Sequence, residues 1–156
     1  MPKSKIYLDT SVISHLYQLD VPDKMNDTLA LWEDIKLGLY DVYTSQVTLA
    51  ELAENDEHKR DLLLNYLAEI DYTFIPVDDE IRAYADKVVE EGILTNKRYD
   101  DCLHIGCAVV HGCHMILSWN FKHMVRVRTV NGVRSINAML GYHGIDIFSP
   151  NMMIEG

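Results

Sequence analysis

The stretch IYLDTSVISHLY, residues 6–17, decides the fold of this chain. Residues 5–8 have the composition of a short β-strand, and Asp9 follows directly. After it, apolar residues return at helical spacing, as at Val12 and Leu16. A strand that passes through one acidic residue into a helix is typical of the first half of a βαβ unit. It also places Asp9 at the carboxyl end of its strand.

The rest of the chain repeats this alternation. Strands are expected at residues 40–44, 72–77, 114–118 and, as an edge strand, 145–148. Helices are expected at residues 26–39, 58–70, 78–91, 99–111 and 134–140. Strands separated by helices predict βαβ units and therefore an α/β fold with a parallel sheet.

Length and composition indicate one globular domain. The 156 residues are 48% hydrophobic and 24% charged, and we expect a single domain at residues 1–150 with a C-terminal tail at residues 151–156. No apolar run approaches the roughly 18 residues of a membrane span. MPKSKIYLD lacks the features of a signal peptide, which favours a cytoplasmic protein. The three cysteines form no C-x-x-C pair, so buried free thiols are expected.

The acidic charge of the chain is unevenly distributed. The formal net charge is −10, and 22 of the 24 acidic residues lie in the first 101 residues. Residues 102–145 contain no acid but carry Lys122, Arg126, Arg128 and Arg134 with five of the seven histidines. A basic flank beside an acidic centre suits a polyanion that is held on one side and cut on the other. A solvated face without a partner remains an equal alternative.

Three further polar residues stand beside predicted elements. They are Glu51 in TLAELAE, Asp101 in RYDDCLHIGCAVV and Asn120 in MILSWNFKHM. Asn120, like Asp9, follows a strand, and the functional crevice of a parallel sheet lies beyond the carboxyl ends of its strands. Glu51 and Asp101 are expected near helix N-termini, Glu51 in capping-box spacing after Thr48. These positions predict that the four residues meet.

Such a cluster has a specific chemistry. Carboxylates held close together repel unless one takes up a proton or the group shares a cation. Oxygen ligands select Mg²⁺ or Mn²⁺, which lowers the pKa of a bound water and neutralises a phosphodiester in its transition state. Metal-assisted phosphodiester cleavage is therefore the leading interpretation. Asn120 could supply an oxygen or hold a water but cannot act as a base.

Several neighbours could support these groups. Ser11 and Ser118 could hydrogen-bond the acids or a water, and Asp100 could act through water. His104 lies three residues after Asp101 on the same side of the helix and could fix a carboxylate. The alternative for each acid is a structural one, in which it only caps a helix or complements the helix dipole.

In this order and spacing, the segments resemble the PIN-domain family and, within it, the VapC-like toxin ribonucleases. IYLDTSVI is similar to the opening strand and first acid of the family, TLAELAE to the second-acid helix and DDCLHIGCAV to the third. ILSWNFKHM resembles the strand that ends at the fourth position, and INAMLGYHGIDIFSP the tail of a subgroup with Asn there.

The resemblance implies a three-layer α/β/α sandwich around a parallel sheet of four to five strands. It also implies a Mg²⁺- or Mn²⁺-dependent endoribonuclease, frequent homodimers and, for a toxin, a cognate antitoxin. Carried over by position, Asp9, Glu51 and Asp101 are the catalytic and metal-binding acids, and Asn120 is the fourth catalytic position. Many members have Asp at the fourth position, and Asn removes a charge that a second metal ion would use. The candidates for gripping RNA phosphates are Lys122, His123, Arg126 and Arg128.

Three other functions are considered. A PIN-like RNA- or protein-binding module that has lost catalysis would bind metal without turnover. A phosphohydrolase of the haloacid-dehalogenase type also has Asp after its first strand, but it needs a second Asp where this chain has Ser11. In a flavodoxin-like interaction protein, the acids would serve as helix caps.

Overall fold

The computed structural model describes residues 2–154. Within them, five strands and seven α-helices alternate along the chain. The strands are β1 (Ser4–Leu8), β2 (Tyr40–Ser45), β3 (Thr73–Ile75), β4 (Met115–Leu117) and β5 (Asp146–Phe148). The helices are α1 (Thr10–Ser14), α2 (Pro22–Lys36), α3 (Gln46–Leu52), α4 (Glu57–Leu67), α5 (Asp79–Glu90), α6 (Tyr99–Val110) and α7 (Val127–Leu140). The predicted α/β alternation is confirmed.

The strands form one parallel sheet in the order β3-β2-β1-β4-β5. β2 and β3 therefore lie on one side of β1, and β4 and β5 on the other. Ligands of open α/β sheets bind where the strand order reverses in this way, beyond the carboxyl ends of the strands. Here that point lies between β1 and β4, which end at Leu8 and Leu117 in register. The topology thus brings Asp9 and the residues after β4 to the same edge.

Helices cover both faces of the sheet because successive side chains of β1 point to opposite sides. Tyr7 belongs to a core formed with α5, α6 and α7, whereas Ile6 and Leu8 belong to a core formed with α1, α2, α3 and α4. Both cores are apolar, and all three β1 residues are fully buried. The result is a three-layer sandwich, as predicted.

Three helix starts differ from the sequence-based prediction. α2 begins at Pro22 instead of residue 26, because proline at the first helical position has its φ preset for a helix. α3 begins at Gln46 with Ser45 as its cap, so Thr48 lies inside the helix and does not cap it. Glu51 consequently lies in the last turn of α3 and is not near its N-terminus. α7 begins at Val127, seven residues earlier than expected.

Several helix ends and the cysteines have local structures that are typical of their residue types. Asp9 caps α1 and Asp78 caps α5, each accepting a hydrogen bond from a backbone N–H in the first turn. Gly141 ends α7 in the left-handed conformation, at φ 80°. The three cysteines are free and buried. Among residues 2–154, no helix combines the length and the apolar character that crossing a membrane requires.

Gly132 is a point of close packing between α7 and the segment after α5. A Cβ atom placed on it would lie 2.5 Å from Cγ1 and 2.9 Å from Cγ2 of Ile93, a buried side chain. We expect Gly132→Ala to lower the free energy of unfolding by about 1–2 kcal/mol, since overpacking outweighs the gain in helix propensity. Denaturant melts would measure it beside Gly144→Ala, whose Cβ would meet nothing within 4 Å. Equal stability of the two variants would contradict the clash.

Candidate active site

The structure brings the four sequence-predicted polar residues to one edge of the sheet. Asp9 follows β1, and its backbone N–H donates to the Leu117 carbonyl at the end of β4 (3.3 Å). Asn120 lies three residues beyond β4, and its Nδ2 donates to Oδ2 of Asp101 in the first turn of α6 (3.4 Å). Glu51 joins from the last turn of α3 through His104. We call Asp9, Glu51, Asp101 and Asn120 the acid cluster.

Asp9 is buried, with 3% of its surface exposed. Burial raises the pKa of its carboxyl group, although the His104 charge and the Ser11 hydroxyl act in the opposite direction. Ser11 Oγ donates to Asp9 Oδ1 (2.5 Å), and the Val12 N–H reaches the same oxygen (3.3 Å). Both contacts hold Oδ1 of Asp9, and a hydrogen bond from the Ser118 hydroxyl also lowers the pKa of this carboxyl group.

The two serines connect the loops that follow β1 and β4. Ser11 Oγ accepts from the Trp119 N–H (2.8 Å) and lies 3.5 Å from Ser118 Oγ. Ser118 Oγ in turn accepts from the Asn120 N–H (3.0 Å). Both hydroxyls therefore hold the backbone beside Asp9 and Asn120 in place.

Glu51 is held by two neighbours at a single oxygen. Thr10 Oγ1 donates to Glu51 Oε1 (2.6 Å), and Nε2 of His104 lies 2.6 Å from the same atom. Burial alone would raise the pKa of Glu51, but the hydrogen bond and charge of His104, with the Thr10 bond, outweigh burial and lower it. Glu51 is thus the firmly ionised member of the cluster.

His104 is the centre of a buried network that the sequence did not indicate. Its Nδ1 lies 2.6 Å from the Tyr7 hydroxyl, which lies 2.8 Å from Ser45 Oγ. Burial opposes a charge on the imidazole, yet the bond to Glu51 and the charges of three acids raise the pKa of His104. The sequence placed His104 beside Asp101, whereas its hydrogen bond goes to Glu51. Tyr7, Ser45 and Thr10 were missed because they resemble ordinary strand and cap residues.

Asp101 is half-buried, and its pKa is affected by the charges of the residues around it. Burial raises its pKa to about 6, and the charges of Asp9 and Glu51 add to this effect against His104 and Arg98. Its neighbour Asp100 is exposed and lies on a different part of the surface. It lines a surface depression of about 280 Å³ together with Glu51, Glu54 and Arg82.

The donor set fits a hard divalent cation of the Mg²⁺ type. Asp9 and Asp101 are two carboxylates whose raised pKa values report a cost of ionisation that a cation would relieve. Mg²⁺ binds to proteins through one or two carboxylates and keeps several waters. Residues 2–154 contain no preformed set of three or more His, Cys, Asp or Glu side chains with metal-ligand spacing. The cluster therefore fits a two-carboxylate site better than a cage of three acids.

Basic residues lie on one side of the cluster. Burial is the main cause that lowers the pKa of His123, and the charges of Arg98, Lys122 and Arg126 lower it further. The three cations are therefore near that ring. Lys122 is exposed, whereas the His123 ring is half-buried, and its Nε2 has no hydrogen-bond partner within the described part of the chain. Arg98 was missed, since only the fold brings it near His123.

Arg128 is an exposed residue whose guanidinium contacts the backbone after α5. Its Nη2 donates to the Gly92 carbonyl at 2.7 Å, which ties α7 to the end of α5. Of the four phosphate-binding candidates, Lys122 and Arg126 lie near His123, and Lys122 follows Asn120 by two residues. Arg126 makes a bond of 3.3 Å to Thr129 Oγ1 and is only half-buried.

Comparisons with known proteins agree with this geometry. Residues 6–123 match a family model described as PIN domain, a range that contains the whole acid cluster. Comparison with curated proteins found no match. The fold is similar to a chain in the crystal structure of VapBC2 from Rickettsia felis bound to a DNA fragment from their promoter, with a TM-score of 0.59 and 10% identity. That alignment covers 93% of this chain and 98% of the other.

Proposed function

The chain belongs to the PIN domain family, and we propose on that basis that it is a Mg²⁺- or Mn²⁺-dependent endoribonuclease that hydrolyses phosphodiester bonds in RNA. The observation that carries the proposal is that Asp9 lies near enough to Asp101 for its charge to raise the pKa of Asp101. Both residues lie at the point where the strand order reverses. Two carboxylates with raised pKa values at such a point are typical of a functional site.

Each member of the acid cluster has a role in this proposal. Asp9 and Asp101 would hold the cation, and Glu51 can offer only Oε2 because Thr10 and His104 engage Oε1. The bound cation would lower the pKa of a water and neutralise charge in the transition state. Asn120 orients Asp101 and positions water or substrate. Ser11 and Ser118 keep these loops in register.

Lys122 and Arg126, with Arg98, would bind the phosphates on either side of the cleaved bond. This local basic side would compensate for the formal net charge of −10, which repels a polyanion. His123 keeps the turn in shape, because its backbone N–H donates to Asn120 Oδ1 (3.0 Å). Arg128 is exposed, with its Nη2 bonded to the Gly92 carbonyl, and is a further candidate for phosphate binding.

The salt dependence of RNA binding would test the role of Lys122. For single strands, each neutralised phosphate contributes about 0.7 to the slope of log K against log salt concentration. We expect Lys122→Gln to weaken binding for every RNA sequence and to reduce that slope by about 0.7. Lys87→Gln is the control, since Lys87 is paired with Glu90 and Glu91 on α5. An unchanged slope in Lys122→Gln would remove this residue from the binding surface.

A catalytically lapsed PIN-like RNA- or protein-binding module is the second candidate. The observation that favours it is the engagement of Asn120 at both ends of its amide. Its Nδ2 donates to Asp101, and its Oδ1 accepts from the His123 N–H. The amide is neutral, so it supplies no charge to a second cation, and its oxygen already accepts a hydrogen bond.

The family setting extends the proposal to partners. Because VapBC2 was crystallised with promoter DNA, we include a cognate antitoxin protein among the partners of this chain. A homodimer is a further proposal, and exposed apolar residues of α7 such as Val127 and Met139 offer a surface for either contact. The catalytic unit would be a single domain at residues 1–150 with a short tail after it. A toxin of this kind would act on RNA in the cytoplasm.

Metal removal is the direct test of the proposed function. Purified protein is incubated with structured and unstructured RNAs in Mg²⁺, in Mn²⁺ and in EDTA. We expect internal cleavage that requires the cation and that the double variant Asp9→Asn/Asp101→Asn lacks, with both proteins folded by circular dichroism. Calorimetric Mn²⁺ binding without cleavage would favour the lapsed module. A protein that neither binds Mn²⁺ nor cleaves RNA would refute the metal site.

A further inference from the structure

Phe121 is a large apolar side chain exposed directly beside the acid cluster. It follows Asn120 in the turn after β4, and 46% of its surface is accessible. Phe74 on the edge strand β3 is similarly exposed, at 44%, but lies two strands away from β1. Phe121 is therefore an exposed aromatic ring at the position where a substrate would leave the cluster.

The ring of Phe121 rests on a rigid support. Trp119, which is 6% exposed, meets it edge-on with the ring centroids 6.1 Å apart. The Trp119 indole N–H donates to Thr28 Oγ1 on α2 (2.8 Å), which fixes that ring. Backbone bonds from Met124 and Val125 to the Asn120 carbonyl (3.0 and 2.9 Å) close the turn. An exposed ring that is held in this way loses little entropy when a planar group stacks on it.

A cation accompanies the two rings. Lys24 Nζ lies 5.3 Å from the Phe121 centroid and 5.7 Å from the Trp119 centroid. Lys122, the next residue after Phe121, is exposed. Lys24 covers one face of the Phe121 ring, and the exposed part of the ring together with the two lysines offers stacking to a base and charge to its phosphates. Proteins bind single-stranded nucleic acid by this combination.

We propose that Phe121 is a stacking platform for an unpaired nucleobase next to the cleaved phosphodiester, with Lys24 contacting the adjoining phosphate. The inference rests on the proposed ribonuclease function for the identity of its substrate. The platform requires an unpaired base, because base faces in a duplex are covered by their neighbours. Stacking is tolerant of sequence, so the platform selects strandedness and not a particular base.

Binding measured in EDTA tests the platform separately from catalysis. Fluorescence anisotropy is recorded for labelled oligoadenylate, for oligouridylate and for the duplex that the two form. The variants are Phe121→Ala, Phe121→Leu and Phe121→Trp, with Phe74→Ala as the matched control and thermal melts as a folding check. We expect Phe121→Ala to weaken single-strand binding about 10- to 100-fold. Leu should restore little, Trp should restore most, and the control should bind as the wild type does.

The outcomes separate the platform from the nuclease. If Phe121→Ala or Phe121→Leu binds single strands as tightly as the wild type, or if duplex binding falls equally, the platform is overturned even where cleavage persists. Loss of self-association with unchanged RNA binding would assign the ring to a protein contact and also overturn it. Phe121-dependent binding by a wild-type protein that never cleaves would keep the platform and remove the nuclease. In an active enzyme, Phe121→Ala should raise KM more than it lowers kcat.

Discussion

Asp9→Asn should lose at least about 100-fold in RNA cleavage while the protein stays folded. Loss of even an outer partner of a metal ligand costs about 10- to 100-fold, and Asp9 is proposed as a ligand itself. The asparagine oxygen can still accept from Ser11 and from the Val12 N–H, so the start of α1 keeps its cap. The loss would therefore reflect charge and not geometry. Initial cleavage rates at saturating Mn²⁺ measure it.

Stability of Asp9→Asn should change in the opposite direction. Burial raises the pKa of Asp9, which means that its ionised form costs free energy in the folded protein. In EDTA at pH 7, the variant should melt at the same temperature as the wild type or at a higher one. Mn²⁺ at 100 times its Kd should stabilise the wild type by about 2.7 kcal/mol and the variant far less.

The matched control for this experiment is Asp41→Asn, an exposed acid on β2 at the opposite end of the strands. It should keep both cleavage and the Mn²⁺ effect. Cleavage by Asp9→Asn within tenfold of the wild type would contradict the role of Asp9 as a ligand. A lower melting temperature in EDTA would contradict the claim that its buried charge is unfavourable.

His104→Ala should lower the free energy of unfolding by about 3 kcal/mol. The change leaves the Tyr7 hydroxyl buried without this partner and removes the hydrogen-bond partner of Glu51 in α6. Breaking a buried pair costs about 3–5 kcal/mol. The lower end applies because the Glu51 side chain is 30% exposed and can regain water. Urea melts beside His111→Ala, an exposed histidine at the end of the same helix, measure the difference.

Activity of the His104 variants would show whether His104 is a positioning residue. Once His104 is removed, Glu51 keeps only its bond to Thr10, so we expect His104→Ala to cleave about 10- to 100-fold more slowly. His104→Gln can place a donor near the position of Nε2 and should recover part of the rate. Equal rates in the Ala and Gln variants, after correction for the folded fraction, would limit His104 to a structural role.

The positions of strands and of Asp9, Asp101 and Asn120 could be predicted because they depend on local signals. Apolar periodicity marks each strand, and parallel strands carry the residues that follow them to one edge. The register of α3 could not be predicted in the same way. TSQVTLAEL contains two cap signals, Ser45 and Thr48, and Ser45 is the cap because β2 extends to Ser45 through its pairing with β3. That choice moves Glu51 from the first turn to the last.

The network around His104 lies beyond local sequence rules. Its bonds join Tyr7 to Ser45 across 38 residues and Tyr7 to His104 across 97. Tyrosine, serine and histidine are all ordinary residue types in strands and helices. The position of Arg98 beside His123 likewise depends on how α6 packs on the sheet. Such contacts are set by tertiary packing, which a single sequence does not reveal.

The strand order also determines when the proposed active site is completed during synthesis of the chain. β1 is made first yet occupies the centre of the sheet, and its partner β4 lies more than 100 residues later, as the bond between Lys5 and His114 shows. Until β4 leaves the ribosome, one edge of β1 has no partner strand, and Asn120, three residues after β4, is not in place beside Asp101. If the chain is the proposed ribonuclease, its site is therefore incomplete during most of its own synthesis, because Asn120 lies in the final quarter of the sequence.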